Sequence, residues 1–192
     1  GLGRGPATWD FVRKLGERGW LSLDWPKQYG GAGLSPMYRF ILFEELDYWG
    51  AMGEDRLSSS VMQPPIILRY GTEEQKREFL PRLAQGEIDF APGFTEPQAG
   101  SDLAAIEMQA VEDGDDYVIN GQKMFNTRCH FAQYHWLATR TDPNVPKHRG
   151  LSLFIVDLSS PGITVRPLWT MGGMRTNEVF YDNVRVPKTQ IR

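Results

Sequence analysis

Little in this sequence invites covalent or metal chemistry. It has a single cysteine, Cys129, so no disulfide closes within the chain, which points to a reducing compartment. Cys129 has no CxxC partner and reads as a small packing residue rather than a nucleophile. There are three histidines, His130, His135 and His148. A spacing of five places His130 and His135 on opposite faces of a strand, and they read as partly exposed and unliganded; no metal site is expected. Ser58-Ser59-Ser60 lacks the glycines of a nucleophile elbow. Neither Gly1-Leu2-Gly3-Arg4-Gly5 nor Gly30-Gly31-Ala32-Gly33 completes GxGxxG after a strand, which disfavours a dinucleotide-binding or P-loop cradle. No run of 18 apolar residues occurs, and the longest, such as Leu151 to Val156, are strand-sized. No membrane span and no signal-peptide pattern is read. The formal net charge is only −3, which argues against a nucleic-acid surface.

What is present is an ordinary globular balance. The 192 residues are 41% hydrophobic and 12% aromatic. A chain of this length buries about 70% of the surface its unfolded form exposes, enough for one large domain or two small ones. The sequence starts at Gly1 without a Met and stops just past a strand pattern, so both ends read as possible cuts.

The first half reads as helical. Trp9, Val12 and Leu15 recur at helical spacing across residues 7–18, with charged residues between them and Gly19 as a stop. A Gly- and Pro-rich loop covers Trp25 to Leu34. Ser35-Pro36 opens a second helix, with Ser as cap and Pro in the first position, running to Gly50. A third, more apolar segment spans Leu57 to Tyr70. Thr72 and Gln75 then form a capping box that starts a helix carrying Phe79, Leu80 and Leu83 and ending near Gly86. Beyond residue 87 the pattern changes to short segments rich in β-branched and aromatic residues: 117–119, 124–125, 136–139, 151–157, 163–165 and 179–181. Turn signals separate them, and Asn120-Gly121 is the strongest hairpin signal. The expected fold class is α+β: an N-terminal helical domain over residues 1–87, then an antiparallel β-sandwich or barrel domain over 88–192.

The chemistry-bearing stretch lies at the junction, Phe94-Thr95-Glu96-Pro97-Gln98-Ala99-Gly100-Ser101-Asp102. Pro97 fixes one backbone angle, Gly100 permits unusual ones, and the small residues at 99–101 let a ligand approach the backbone. The hydroxyls of Thr95 and Ser101 supply donors for a phosphate or a polar ring edge. A capped turn of ordinary chemistry is the alternative reading. Glu96 and Asp102 read as turn and cap residues rather than as a base or an acid.

Thr95-Glu96-Pro97 followed by Ala99-Gly100-Ser101-Asp102 resembles the TEPxAGSD signature of acyl-CoA dehydrogenases. The resemblance continues in order. Asp115 to Lys123 resembles the family's GDxYVINGxK segment, and Met124 to Thr127 its K-x-W-I-T strand. Ala138 to Pro143 resembles ARTDP, Pro161 to Val165 the PGI segment, and Asn183 to Pro187 DVxVP. Upstream, Trp25 to Gly31 resembles the WPxxYGG loop and Gly71 to Lys76 resembles GTEEQK. Seven or more segments in the same order cover nearly the whole chain.

The resemblance implies FAD as cofactor, held between helical domains and a flavin-binding middle β-domain. It implies α,β-dehydrogenation of an acyl-CoA, with a Glu removing the α-proton and flavin N5 taking the β-hydride. By the same resemblance, Thr95 hydrogen-bonds the flavin ring. Gly100 and Ser101 belong to the flavin and substrate loop, with Ser101 near both cofactor and acyl-CoA. Phe125 stands where a Trp packs on the isoalloxazine, Thr127 where a hydroxyl meets N5 or O4, and Phe94 and Asn126 complete the cofactor set. Departures are Phe125 for Trp, Asn126 for Ile or Thr, Gln133 for Asp, and Pro92-Gly93 before Phe94. On residue pattern alone, Phe125 is equally a core residue of a strand and Thr127 a β-former. The catalytic Glu is expected in a C-terminal helical domain that nothing after Pro187 resembles, so no catalytic residue is assigned within this chain, and the chain alone is expected to be inactive. The family also implies electron-transferring flavoprotein as electron acceptor, a homodimer or homotetramer, and a cytoplasmic location, or the mitochondrial matrix in a eukaryote. Alternatives are a non-catalytic partner subunit of a heteromeric enzyme, or an acyl-CoA oxidase or flavin monooxygenase on the same scaffold; a nucleic-acid-binding relative fits the charge least. Tyr38, Trp49 and Met62 are candidate pocket residues, and apolar surface is expected over residues 36–70.

Overall fold

A computed structural model describes residues 6–51 and 61–191. The Gly-rich stretch 1–5 and the start of the third helical segment, 57–60, lie outside them. The chain divides into two compact units, one up to Asp89 and the other from Phe90 onward.

Among the described residues, the first unit contains four α-helices: α1 (Pro6–Glu17), α2 (Pro36–Tyr48), α3 (Gln63–Tyr70) and α4 (Glu73–Ala84). Val12 and Leu15 of α1 are buried with Leu21, and Phe43 and Leu46 of α2 pack on them. Both expected caps form. The Ser35 hydroxyl accepts from the N–H of Met37 at 3.4 Å. The Thr72 hydroxyl accepts from the N–H of Gln75, and the Gln75 side chain accepts in return from the N–H of Thr72, both at 3.1 Å. Two otherwise orphaned donors are thereby satisfied. Thr72→Ala is expected to cost about 1 kcal/mol, read as a lower urea midpoint with an unchanged slope. Helix α2 buries none of its residues. Its Met37, Tyr38, Phe40 and Ile41 are at least half exposed, as are Tyr48, Trp49 and Tyr70. Of the candidate pocket residues, Tyr38, Trp49 and Met62 are 55%, 75% and 47% exposed. Among the described residues, no helix is long and apolar enough to cross a membrane.

The second unit is one seven-stranded sheet: β1 (Phe90–Gly93), β2 (Gln109–Asp113), β3 (Asp116–Lys123), β4 (Tyr134–Arg140), β5 (Leu151–Asp157), β6 (Ile163–Trp169) and β7 (Arg175–Pro187). The order is β1-β4-β2-β3-β7-β6, with β5 on β4. The sheet is mixed, not antiparallel throughout. Strand β4 pairs in parallel with β1 along Tyr134–Leu137 and with β2 at Arg140. A parallel return needs a long crossover, and residues 94–133 supply it. The core lies against this sheet, with Ile119, Leu137, Phe154, Val179 and Val184 all fully buried.

Asn120-Gly121 is not a hairpin. The β2–β3 turn falls at Gly114-Asp115, while Asn120 and Gly121 sit inside β3 at a register shift opposite β7. There the Asn120 side chain accepts from the N–H of Asn183 at 2.8 Å. Asn183 has φ 51 and Gly121 φ 143, so the turn-forming dipeptide serves a bulge instead.

Candidate functional site

Two loops of the second unit meet: the segment after β1, Phe94–Asp102, and the segment after β3, which starts at Met124. The N–H of Met124 donates to the carbonyl of Thr95 at 2.8 Å. Lys123, at the end of β3, is fully buried; its ammonium donates to the carbonyl of Phe94 at 3.1 Å and to Glu96 Oε1 at 2.8 Å. The Glu96 carboxylate also accepts from the N–H groups of Glu107 and Met108 and from Gln98 Nε2, at 2.7, 3.0 and 2.7 Å. Burial pushes the Glu96 carboxyl upward, but the Glu107 N–H, the Lys123 ammonium and the Met108 N–H outweigh it and hold it below the ordinary carboxylate value. Burial in turn depresses Lys123, with Glu96 opposing. A carboxylate so fully engaged is no proton acceptor for a substrate. Its role is to tie the 94–102 segment to β3 and to the residues leading into β2. Asp102 precedes a short 3-10 turn, Leu103–Ala105, but its side chain caps nothing there.

Met124-Phe125 is not a strand. β3 ends at Lys123, and Phe125 has φ 55 with its ring 54% exposed. Core burial is therefore ruled out for Phe125. A bulky residue in the left-handed region is an outlier that only its surroundings can maintain. Asn126, 1% exposed, donates from Nδ2 to the carbonyls of Pro92 and Met124, at 3.2 and 3.1 Å. Two carbonyl partners fix that nitrogen, which leaves Oδ1 as a buried acceptor without a hydrogen-bond partner. Such an atom marks a place where a donor belongs.

The structure therefore brings Phe94 and Thr95, both half-buried, against the turn that carries Phe125, Asn126 and Thr127. Gly100 and Ser101 are exposed, beyond the short pairing of Glu96 with Ala99. A Cβ built on Gly100 would meet nothing within 4 Å. The residues fit a planar, polar-edged ligand such as FAD: an exposed aromatic face, hydroxyls, open space at Gly100 and a buried acceptor in want of a donor. A separate cavity of about 360 Å³ opens between Glu96–Gln98, Glu107–Gln109 and Asn120–Gln122, and none of the seven residues lines it.

His135 corrects another expectation. It is fully buried on β4, not partly exposed, and its Nδ1 lies 2.6 Å from the Tyr181 hydroxyl. Burial, reinforced by the Lys123 charge, holds it down to about 3. The ring stays neutral and shares a hydrogen bond with the tyrosine hydroxyl. Gly93 makes this possible, because a Cβ there would lie 2.3 Å from His135 Nε2. His130 is not on a strand but in the turn after Phe125. His148 is exposed in a short 3-10 turn, Lys147–Arg149. Cys129 is buried, and burial pushes its thiol up. Sequence reasoning missed Asn177 on β7, whose backbone and side chain both bond Asn126. No local signal marks it, since Thr176-Asn177 stand between Arg175 and Glu178 in a strand that mixes polar and apolar residues.

The family model for the acyl-CoA dehydrogenase middle domain matches residues 91–184, and that for the N-terminal domain matches residues 3–87. The chain belongs to the acyl-CoA dehydrogenase family. This acyl-CoA dehydrogenase chain is 46% identical over 181 residues to the acyl-CoA dehydrogenase FadE26 of Mycobacterium tuberculosis, covering 93% of the chain and 45% of that protein. A chain of the ChsE4–ChsE5 complex from Mycobacterium tuberculosis superimposes with a TM-score of 0.90 at 44% identity, over 99% of this chain and 49% of that one. A glutaryl-CoA dehydrogenase from Mycobacterium smegmatis in complex with FADH2 superimposes with a TM-score of 0.77 at 30% identity, over 95% and 47%. The chain spans about half the length of the relatives it matches. The helical part followed by a curled mixed sheet is the architecture these neighbours share with this acyl-CoA dehydrogenase chain.

Proposed function

We propose that residues 94–101 and 124–127 hold FAD and that the protein carrying this chain dehydrogenates an acyl-CoA thioester between its α and β carbons. The observation that carries this reading is the left-handed, exposed Phe125 set beside the Thr95 carbonyl, next to the unpartnered buried acceptor of Asn126. FAD when bound supplies a two-electron hydride acceptor. This chain's residues bind and orient it. Phe125 gives an aromatic wall that excludes water. Thr95 and Thr127 offer hydroxyl donors to the ring edge, and fixed donors of this kind tune a flavin's electron affinity. Phe94 backs the loop, Gly100 leaves room, and Ser101 serves both cofactor and thioester. The base that takes the α-proton is assigned to a residue outside positions 1–192. Electron-transferring flavoprotein is the proposed electron acceptor, and a homodimer or homotetramer the proposed assembly. The ChsE4–ChsE5 likeness favours a second assembly, pairing with a different chain of the same family.

Gly100→Val tests the site separately from the fold. The new Cβ has no protein atom within 4 Å and the position is exposed, so stability should stay within about 0.5 kcal/mol. FAD affinity, read by flavin fluorescence, should fall about tenfold or more as the side chain enters ligand space. Unchanged affinity would remove the 94–101 segment from the site.

A further inference from the structure

The shape of the Phe125 turn is set from β7. The N–H of Asn126 donates to the carbonyl of Asn177 at 2.9 Å, and Asn177 Nδ2 donates to the carbonyl of Asn126 at 2.8 Å. One residue of β7 thus takes both backbone polar groups of Asn126, on the residue that follows the left-handed Phe125. The N–H of Thr127 closes the turn on the carbonyl of Phe125 at 3.0 Å. Asn177 is itself fully buried. Its amide has one orientation only. Arg175 Nε donates to Oδ1 at 3.1 Å, and a guanidinium cannot accept. Both amide hydrogens therefore face the other way, toward the Asn126 carbonyl and His130 Nδ1, the latter at 3.1 Å. His130 must then present a bare Nδ1 and carry its proton on Nε2. Burial and the Arg175 charge both hold its basicity below that of an ordinary histidine, in keeping with that state.

We infer that Asn177 is a positioning residue for the flavin site: it holds the Phe125-Asn126-Thr127 turn in its left-handed form and locks His130 as the Nε2–H tautomer. The first half of this rests on the FAD reading only for its consequence in binding; the geometry stands without it. The change that removes the donors while keeping the shape is Asn177→Asp. Its carboxylate still accepts from Arg175 but offers only lone pairs to the Asn126 carbonyl and to His130 Nδ1.

The test is made on the full chain. Nitrogen-15 shifts of the His130 ring at neutral pH should show an unprotonated Nδ1 in the parent, and a protonated Nδ1 in Asn177→Asp. The Phe125 backbone coupling should leave its left-handed value in the variant, and FAD affinity should drop roughly tenfold or more. Thr176→Val, one residue away on the same strand, should change none of these. A protonated Nδ1 in the parent overturns the inference even where Asn177→Asp fails to fold. So does a folded Asn177→Asp with the parent's Phe125 coupling and FAD affinity, or an equal loss in Thr176→Val. If the parent itself binds no FAD, the flavin reading fails. The inference is then decided by the coupling and the tautomer alone: unchanged in Asn177→Asp they overturn it, and changed they support it.

Discussion

Lys123→Met should cost about 3–5 kcal/mol, the largest single loss in the second unit. Lys123 and Glu96 are 0% and 3% exposed at the side chain, 2.8 Å apart. Removing the ammonium leaves the Glu96 carboxylate buried and without its counter-charge, and that uncompensated charge is the cost. The carboxylate keeps the N–H groups of Glu107 and Met108, so part of its solvation survives. The Phe94 carbonyl also loses its donor, which loosens the segment ahead of Thr95. Glu96→Gln should cost less, because the amide oxygen still accepts from a backbone N–H. The double change Lys123→Met with Glu96→Leu should recover most of the loss, since a well-packed apolar pair replaces a buried ionic one at little net expense. Urea unfolding at neutral pH reads all three. A loss under 1 kcal/mol for Lys123→Met would mean that the pair is hydrated in solution and does not tie the loop to the sheet.

The second large effect is acid sensitivity. His135 is neutral in the fold because burial holds it down to about 3, whereas an unfolded histidine takes its proton near 6.5. Between those values the unfolded state binds the extra proton. The contribution is therefore full above about pH 6.5 and is lost as pH falls toward 3. From pH 6 to pH 4 this amounts to about 2–3 kcal/mol. Glu96 acts in the same direction but lower, because its depressed carboxyl loses its contribution only as pH falls below the ordinary carboxylate value. The two windows separate the groups. His135→Gln forfeits the bond to Tyr181 and should be less stable at every pH, yet its stability should change far less between pH 6 and pH 4. A parent and variant with the same slope in that window would show that His135 titrates normally.

Local chemistry carried the helical half. The Thr72–Gln75 capping box and the Ser35-Pro36 start depend on neighbours three residues away at most, and both form as the residues dictate. The sheet is less legible, because its ladder is decided by partners far along the chain. Asn120-Gly121 has turn chemistry, but its partner Asn183 stands 63 residues on and recruits it into a bulge. The parallel pairing of β1 with β4 leaves no periodic trace that distinguishes it from an antiparallel one. The site divides the same way. Thr95, Gly100 and Ser101 lie in one contiguous segment whose small and hydroxyl residues are visible in the sequence. What makes Phe125 a platform rather than a core side chain is the clamp from Asn177, 51 residues away, and no local pattern records it. The apolar stripe of α2 is legible from spacing, since Met37, Tyr38, Phe40 and Ile41 lie at i, i+1, i+3 and i+4 on one side of the helix, but no local pattern records whether anything covers it.

The central claim is that two loops of the β unit form one flavin site. It is tested most directly by titrating FAD into the isotopically labelled chain and following backbone amide shifts. Saturable changes concentrated on residues 94–102 and 124–127, and carried to Asn177, are the expected result. Saturable changes confined to the cavity beside Gln109 and Gln122, or a spectrum that FAD leaves unmoved, would contradict it.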